Sequence, residues 1–296
     1  MIVCVSPNPA IDKLFAIERL EPGEIHRPAS FVRVPGGKGL NVARAAATLG
    51  ADVRAVAWLG GHHGRWIAEE LEALGVPLTP VWHSGETRSC LSVADEATRS
   101  LTEFYEDASP VTDDEWQEFR RRFAEAVEGA SWVTVSGSLP PGSPAEGYAE
   151  LVGAAGDVAL DTTQLGAARP ALLKVNAVEA AQLTGRDSSA TADELHERIG
   201  GEGKVVVVTR GAEGAVLIDE AGQEWHGRLE AWGPYPVGSG DAFLAGLVVA
   251  REGGASWPEA LKVALGAGAA NAEVPGAGRL ERDRAELLAQ RALVRE

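Results

Sequence analysis

The run KVVVV at 204–208 sets four valines in succession. Alternate side chains of a strand point to opposite sides, so such a run fits a strand covered on both faces, as in a parallel sheet packed between helices. Similar short apolar runs recur at 1–6, 52–59, 131–136 and 157–161, separated by longer segments of helical character. The expected fold class is therefore α/β, with a layered core around a mostly parallel sheet. At 296 residues and 45% hydrophobic composition, the chain can fill one large domain of this kind.

Helix starts are marked in the intervals. Thr112 with Glu115, Thr191 with Glu194 and Ser256 with Glu259 have capping-box spacing, and Ser143 is followed by Pro144 and Glu146. Two segments depart from the alternation. Residues 11–35 and 86–105 read as short extended stretches broken by turns, which predicts a small separate sheet able to cover a cleft.

A formal net charge of -16 argues against nucleic acid as a partner, since phosphate backbones are bound by cationic surfaces. No apolar stretch reaches the roughly 18 residues of a membrane span. Two distant cysteines, Cys4 and Cys90, read as reduced thiols, and the chain enters its first strand, MIVCVS, without a charged leader; a cytoplasmic location is expected. The six histidines form no H-E-x-x-H or Cys/His array, so zinc is not expected.

Several short constellations carry chemical potential. In VGSGDAF, Gly238 and Gly240 let amides converge at the start of a helix beside Asp241, a setting suited to charge on a phosphoryl oxygen. In PGGKGLNVARAAATLG, Gly36 and Gly37 allow close backbone approach, Lys38 brings a point charge and Asn41 follows one turn later. Neither a Walker loop nor a G-x-G-x-x-G fingerprint is present. Asparagine occurs only four times, and Asn176 lies three residues before Glu179, a pair able to hold water or Mg2+ near a phosphate. In TRGAEGAVLI, Gly211 and Gly214 bracket a turn that passes under a nucleotide or simply joins two strands. Arg88, and less so Arg27, offers a guanidinium fork to an anion. Each of these alone also fits a plain helix cap, glycine turn or solvated side chain.

Taken together and in order, NPAID (8–12), GEIHR (23–27), GGKGLNVARAAATLG (36–50), ETR (86–88), SGSLPPG (136–142), KVNAVEA (174–180), TRGAEGA (209–215) and VGSGDAFLAG (237–246) resemble the ribokinase-like sugar kinase superfamily. The resemblance is greater to its phosphofructokinase B branch, which includes 1-phosphofructokinases and tagatose-6-phosphate kinases. It spans nearly the whole chain and implies a three-layer α/β/α core over 1–296, with a small β-sheet lid from about 11–35 and 86–106 that is often shared across a homodimer. It implies ATP and Mg2+, with Asp241 as the base and Gly238, Ser239 and Gly240 as the anion hole for the transferred group.

By the same resemblance Asp12, Gly37 and Asn41 grip sugar hydroxyls, while Lys38, Arg88 and Arg27 face a phosphate already on the sugar. Asn176, Thr209, Gly211, Gly214 and Asn271 fall on the nucleotide side, with Glu179 tied indirectly to the metal. The implied reaction is direct in-line transfer to a ketohexose monophosphate, fructose 1-phosphate ahead of tagatose 6-phosphate and fructose 6-phosphate. Asp241 needs no unusual pKa for it, because the hydroxyl becomes acidic as its bond to phosphorus forms. Kinases of unphosphorylated sugars or nucleosides, and a silent sugar-phosphate sensor, are the alternatives; an NAD-linked oxidoreductase lacks its glycines. The chain departs from the family at Val175, where proline is usual, at Phe104 and Tyr105 near the end of the lid, and at DTTQLG (161–166).

Overall fold

Side chains of β1 (Ile2–Ser6) alternate between two hydrophobic clusters, Ile2 and Cys4 entering one and Val3 and Val5 the other. The molecule is assembled around that two-sided strand in a computed structural model that describes residues 1–185, 191–231 and 233–296. From β1 the chain leaves the core for the hairpin β2 (Ala10–Ile17) and β3 (Ser30–Gly36), then returns through α1 (Lys38–Thr48), β4 (Val53–Leu59), α2 (Gly61–Ala73) and β5 (Leu78–Trp82). A second excursion forms β6 (Arg88–Asp95) and β7 (Ser100–Tyr105). Next come α3 (Asp113–Val127), β8 (Trp132–Ser136), α4 (Gly147–Gly153), β9 (Val158–Asp161), β10 (Leu172–Asn176), α5 (Ala177–Thr184), α6 (Thr191–Ile199) and β11 (Val205–Thr209). A 3-10 turn at Gly211–Glu213 leads to β12 (Ala215–Ile218) and β13 (Glu224–Arg228), and the chain ends with α7 (Ser239–Glu252), α8 (Trp257–Ala272), α9 (Arg282–Arg291) and β14 (Leu293–Arg295).

The large sheet runs β14-β13-β12-β11-β10-β9-β8-β1-β4-β5, parallel from β11 to β5 and antiparallel at the β12–β14 edge. Val205 and Val207 of β11 face the cluster that holds α1, α7 and α8, while Val206 and Val208 face the one that holds α3, α4 and α6. This is the three-layer arrangement that valine on both faces demands. Strand order reverses about β1, with β4 on one side and β8 on the other. In open α/β sheets the carboxyl ends of strands near such a reversal border the ligand crevice.

The smaller sheet has order β3-β2-β6-β7, with antiparallel hairpins joined by parallel pairing of β2 to β6. Ala10 pairs with both Gly36 and Arg88, which fixes that end of the sheet at the entrance to α1.

Thr112 and Ser256 form the expected capping boxes at α3 and α8. The helix expected from Ser143 and Pro144 starts instead at Gly147. Residues 143–146 are taken by a turn in which Gly147 N–H donates to the Pro144 carbonyl at 3.0 Å, a local alternative that serine and proline favour. The Thr191 side chain, and the cap expected there, lie outside the described residues.

Helix α1 runs so close to β1 that a Cβ on Gly39 would lie 2.2 Å from the Val5 carbonyl oxygen. Gly39→Ala is therefore expected to lower stability by about 1–3 kcal/mol through overpacking, read by urea denaturation.

Candidate active site

Two glycine turns bring α1 and α7 to the crevice. Gly37, with φ 89°, is the N-cap of α1, and a Cβ there would come within 2.8 Å of Pro9 Cα. Beside it, the Asp12 carboxylate fills the place a side chain on Gly36 would take, 2.1 Å from the ideal Cβ, and accepts the Gly37 N–H at 3.3 Å. Burial pushes the Asp12 carboxyl up from its ordinary pKa, opposed by that N–H and by the charges of Arg44 and Arg88.

Gly238 caps α7 in the left-handed region (φ 82°), and a Cβ on it would lie 2.6 Å from Ala277 Cα. Only glycine combines that φ with so close an approach. Asp241 follows in the first helical turn, 6% exposed. Asn41 Nδ2 donates to its Oδ2 at 2.8 Å. Asn41 Oδ1 in turn accepts from a nitrogen of Arg44 at 2.8 Å, and the same nitrogen donates to the Ala277 carbonyl at 2.5 Å. Asn271, fully buried, donates to the Val237 carbonyl at 2.9 Å and approaches Ser239 Oγ at 3.4 Å, so it fastens the Gly238 turn.

A lattice of charge lies alongside. Asp161, fully buried at the end of β9, accepts from Lys38 Nζ at 2.8 Å on one oxygen and from Lys174 Nζ at 2.7 Å on the other. Lys38 also meets Glu179 Oε1 at 2.7 Å, while Glu179 Oε2 accepts the Asn176 N–H at 2.8 Å in the capping box of α5. Lys174 Nζ sits 2.8 Å from where a Cβ on Gly240 would be, against the Gly238–Gly240 turn. Burial acts to raise the Asp161 pKa, yet Lys174 and Lys38 hold it below the ordinary carboxylate range. Asp241, which needs no unusual pKa for proton acceptance, nevertheless has one: burial first, then the neighbouring Asp161 charge, push it up to about 7, against the opposing pull of Lys174, Lys38 and Asn41.

Arg88 begins β6 of the small sheet, with Nε on Asn8 Oδ1 (2.8 Å), and Asn8 is held by Ser138 Oγ (2.9 Å). Arg27 is exposed in the β2–β3 loop, at the end of the hairpin away from Gly36, and one chain does not bring it to these residues. Thr209 closes β11 beside Asn176, its hydroxyl 3.4 Å from the Val175 carbonyl. Gly211 and Gly214 shape the 3-10 turn that follows, and a Cβ on Gly214 would strike the Gly227 carbonyl at 2.0 Å. Val175 is wholly buried, whereas Phe104 and Tyr105 are exposed on β7 of the small sheet.

Asp161, Lys174 and Arg44 were not singled out from sequence. The available signal was a charge within an apolar run, LLKVN and VARAAA, where a buried ionic group must find a partner.

The glycine turns and lysines fit a nucleotide triphosphate, whose oxygens take amides and ammonium groups. Among the described residues, no three His, Cys, Asp or Glu side chains gather as a metal site, and both Glu179 oxygens are engaged. That fits Mg2+ carried on nucleotide phosphates with its own waters, Glu179 facing it through water; bound there, the ion would neutralise charge on the transferred group. Among the described residues, no helix is long and apolar enough to cross a membrane.

Amide turns, a buried carboxylate and lysines at the carboxyl ends of parallel strands are the parts that phosphoryl transfer uses together. The description "pfkB family carbohydrate kinase" matches residues 6–284; the chain belongs to that family and is an ATP-dependent carbohydrate kinase. Its structure is similar to Escherichia coli phosphofructokinase-2 in complex with substrates and products, at 26% identity and TM-score 0.88 over 98% of each chain. In fold it also resembles a possible 1-phosphofructokinase from Thermotoga maritima (24% identity, TM-score 0.87, 99% of this chain and 98% of that) and Arabidopsis thaliana ribokinase complexed with ribose and ATP (21%, 0.73, 98% of each).

Asp161→Asn leaves two ammonium groups without their shared counter-charge. A stability loss on the order of 3–5 kcal/mol is expected in urea denaturation.

Proposed function

We propose that this kinase transfers the γ-phosphoryl group of ATP to a hydroxyl of a ketohexose monophosphate, with fructose 1-phosphate as first substrate and fructose 1,6-bisphosphate as product. The observation that carries the reading is the Asp241 carboxylate, buried and oriented by Asn41 on the turn that Gly238, Ser239 and Gly240 form. A base fixed beside the amides that receive the phosphoryl oxygens meets the geometric need of in-line transfer.

In this reading Asp12 and Asn41 hold the sugar hydroxyls, and Asp241 accepts the proton of the attacking one. The anion-hole turn and Lys174 stabilise charge on the equatorial oxygens. Lys38 uses two of its three donors on carboxylates and keeps one for a phosphate oxygen. Arg88 is hydrogen-bonded to neutral oxygens of Asn8 and Glu106, which leaves its charge for the phosphate of the sugar. Asn176, Thr209, Gly211 and Gly214 border the nucleotide. Exposed Phe31, Phe104 and Tyr105 support a homodimer through the lid, able to bring a second Arg27 near the cleft.

A second reading, fructose 6-phosphate as acceptor, is favoured by likeness to phosphofructokinase-2, also solved with fructose-6-phosphate. ATP consumption across fructose 1-phosphate, fructose 6-phosphate, tagatose 6-phosphate and plain sugars decides among them. Highest kcat/KM on fructose 1-phosphate supports the proposal, and preference for a plain sugar overturns it.

With Asp241 as base, activity requires its deprotonated form, so kcat/KM should rise with pH to a plateau with its midpoint near a pH of about 7. Asp241→Asn should lower kcat by about 10²–10⁴-fold. Arg88→Ala removes a charge-assisted contact and should raise KM for the phosphosugar roughly 10-fold or more, with KM for ATP little changed.

A further inference from the structure

The Arg44 guanidinium is 6% exposed, lies on α1 one turn beyond Asn41, and makes no ion pair among the described residues. It donates to two neutral oxygens, Asn41 Oδ1 and the Ala277 carbonyl, both reached by the same nitrogen. Among the described residues its buried Nε has no hydrogen-bond partner. A buried cation whose hydrogen-bond partners are neutral is costly even with the charges of Asp12 and Asp241 nearby, and a methionine would fill a similar space without that cost. Fold stability is therefore a poor account of its presence.

Its geometry has a specific consequence. An asparagine amide has one acceptor end and one donor end, and which end faces a neighbour depends on what the other end meets. Arg44 can only donate, so it fixes Oδ1 toward itself and leaves Nδ2 for Asp241. Turned the other way, Asn41 would put a carbonyl oxygen against the carboxylate. The Ala277 bond extends the link, because Ala277 backs the Gly238 turn and the next residue, Gly278, packs on Asn41 with an ideal Cβ 2.7 Å from its Cα. One guanidinium nitrogen thus ties the orienting amide to the wall that supports the anion hole.

We propose that Arg44 is a positioning residue for phosphoryl transfer, which locks the Asn41 amide so that its donor faces Asp241 and holds that amide in register with the Gly238 turn. This rests on the reading of Asp241 as the base. The charged groups around the pair are Asp12 from β2, Lys38 from α1, Asp161 and Lys174 from β9 and β10, and Arg279 beyond α8. Burial draws the Arg44 pKa down to about 10, so the group stays cationic at neutral pH.

The test is steady-state kinetics of full-length Arg44→Met, Arg44→Gln and Arg44→Lys with ATP and fructose 1-phosphate between about pH 5 and pH 9, normalised to the folded fraction from circular dichroism. Arg44→Met should lower kcat roughly 10–100-fold, change KM for ATP less than about twofold, and move the acidic limb to higher pH, since Asp241 loses a fixed donor and a nearby positive charge. Arg44→Lys, which retains charge and a donor, should recover part of the lost kcat and return the limb toward the parent. If Arg44→Met does not fold, Arg44→Gln is read in its place. Parental kcat and an unmoved limb per folded molecule would overturn the proposal, as would a rise in phosphosugar KM alone. Asp241→Asn run alongside separates the two levels: parental turnover there sinks the base assignment itself, whatever the Arg44 variants do.

Discussion

One fully buried carboxylate, Asp161, takes an ammonium group on each oxygen, and the site depends on that clamp. Removing any of these charges from water is unfavourable by itself. The arrangement holds because Asp161 at the end of β9 meets Lys174 from β10 and Lys38 from α1, with Glu179 of α5 completing the set. The lattice thus pins a strand pair and two helix starts at the carboxyl edge of the sheet. It also sets the electrostatic character of the crevice. Burial opposes the charge on Lys38, but Asp161 and Glu179 keep its pKa raised above the ordinary lysine value. Two ammonium groups are thereby held in fixed positions at the crevice, as the proposed binding of phosphate oxygens would require.

Asp241 stands outside the clamp and is affected by it in both directions. Asp161 disfavours its ionisation, Lys174 and Lys38 favour it, and burial tips the balance upward. A carboxylate with an ordinary pKa is a weaker proton acceptor at neutral pH, so the folded environment makes Asp241 more basic, which would favour the role proposed for it without being required by it. The small sheet reaches the neighbouring turn, since pairing of Ala10 with Gly36 and Arg88 delivers Asp12 onto the α1 entrance.

Much of this was legible in the sequence because it was local. KVVVV announces a strand buried on two faces, Thr112 with Glu115 and Ser256 with Glu259 announce helix starts, and the glycines around Asp241 and Lys38 announce close backbone turns. The N-x-x-E spacing was also legible, although its first use is a capping box. What was hidden depends on convergence. Lys174 interrupts the apolar run of β10, which obscures both the strand and the partner it meets on β9. Arg44 reads as a solvated helix residue until α1 is seen packed under the Gly276–Gly278 segment. The Asp241 pKa could not be inferred from VGSGDAF, since Asp161 lies eighty residues away in sequence.

The central quantity is the protonation of one carboxyl, that of Asp241. Difference infrared or carbon NMR titration of aspartate-labelled protein, comparing the parent with Asp241→Asn in the absence of substrates, measures it without reference to turnover. A carboxyl that titrates near a pH of about 7 in the parent and is missing from the variant is the predicted result. If the missing group titrates near the ordinary aspartate value of about 4, burial and the Asp161 clamp do not tune the base as described.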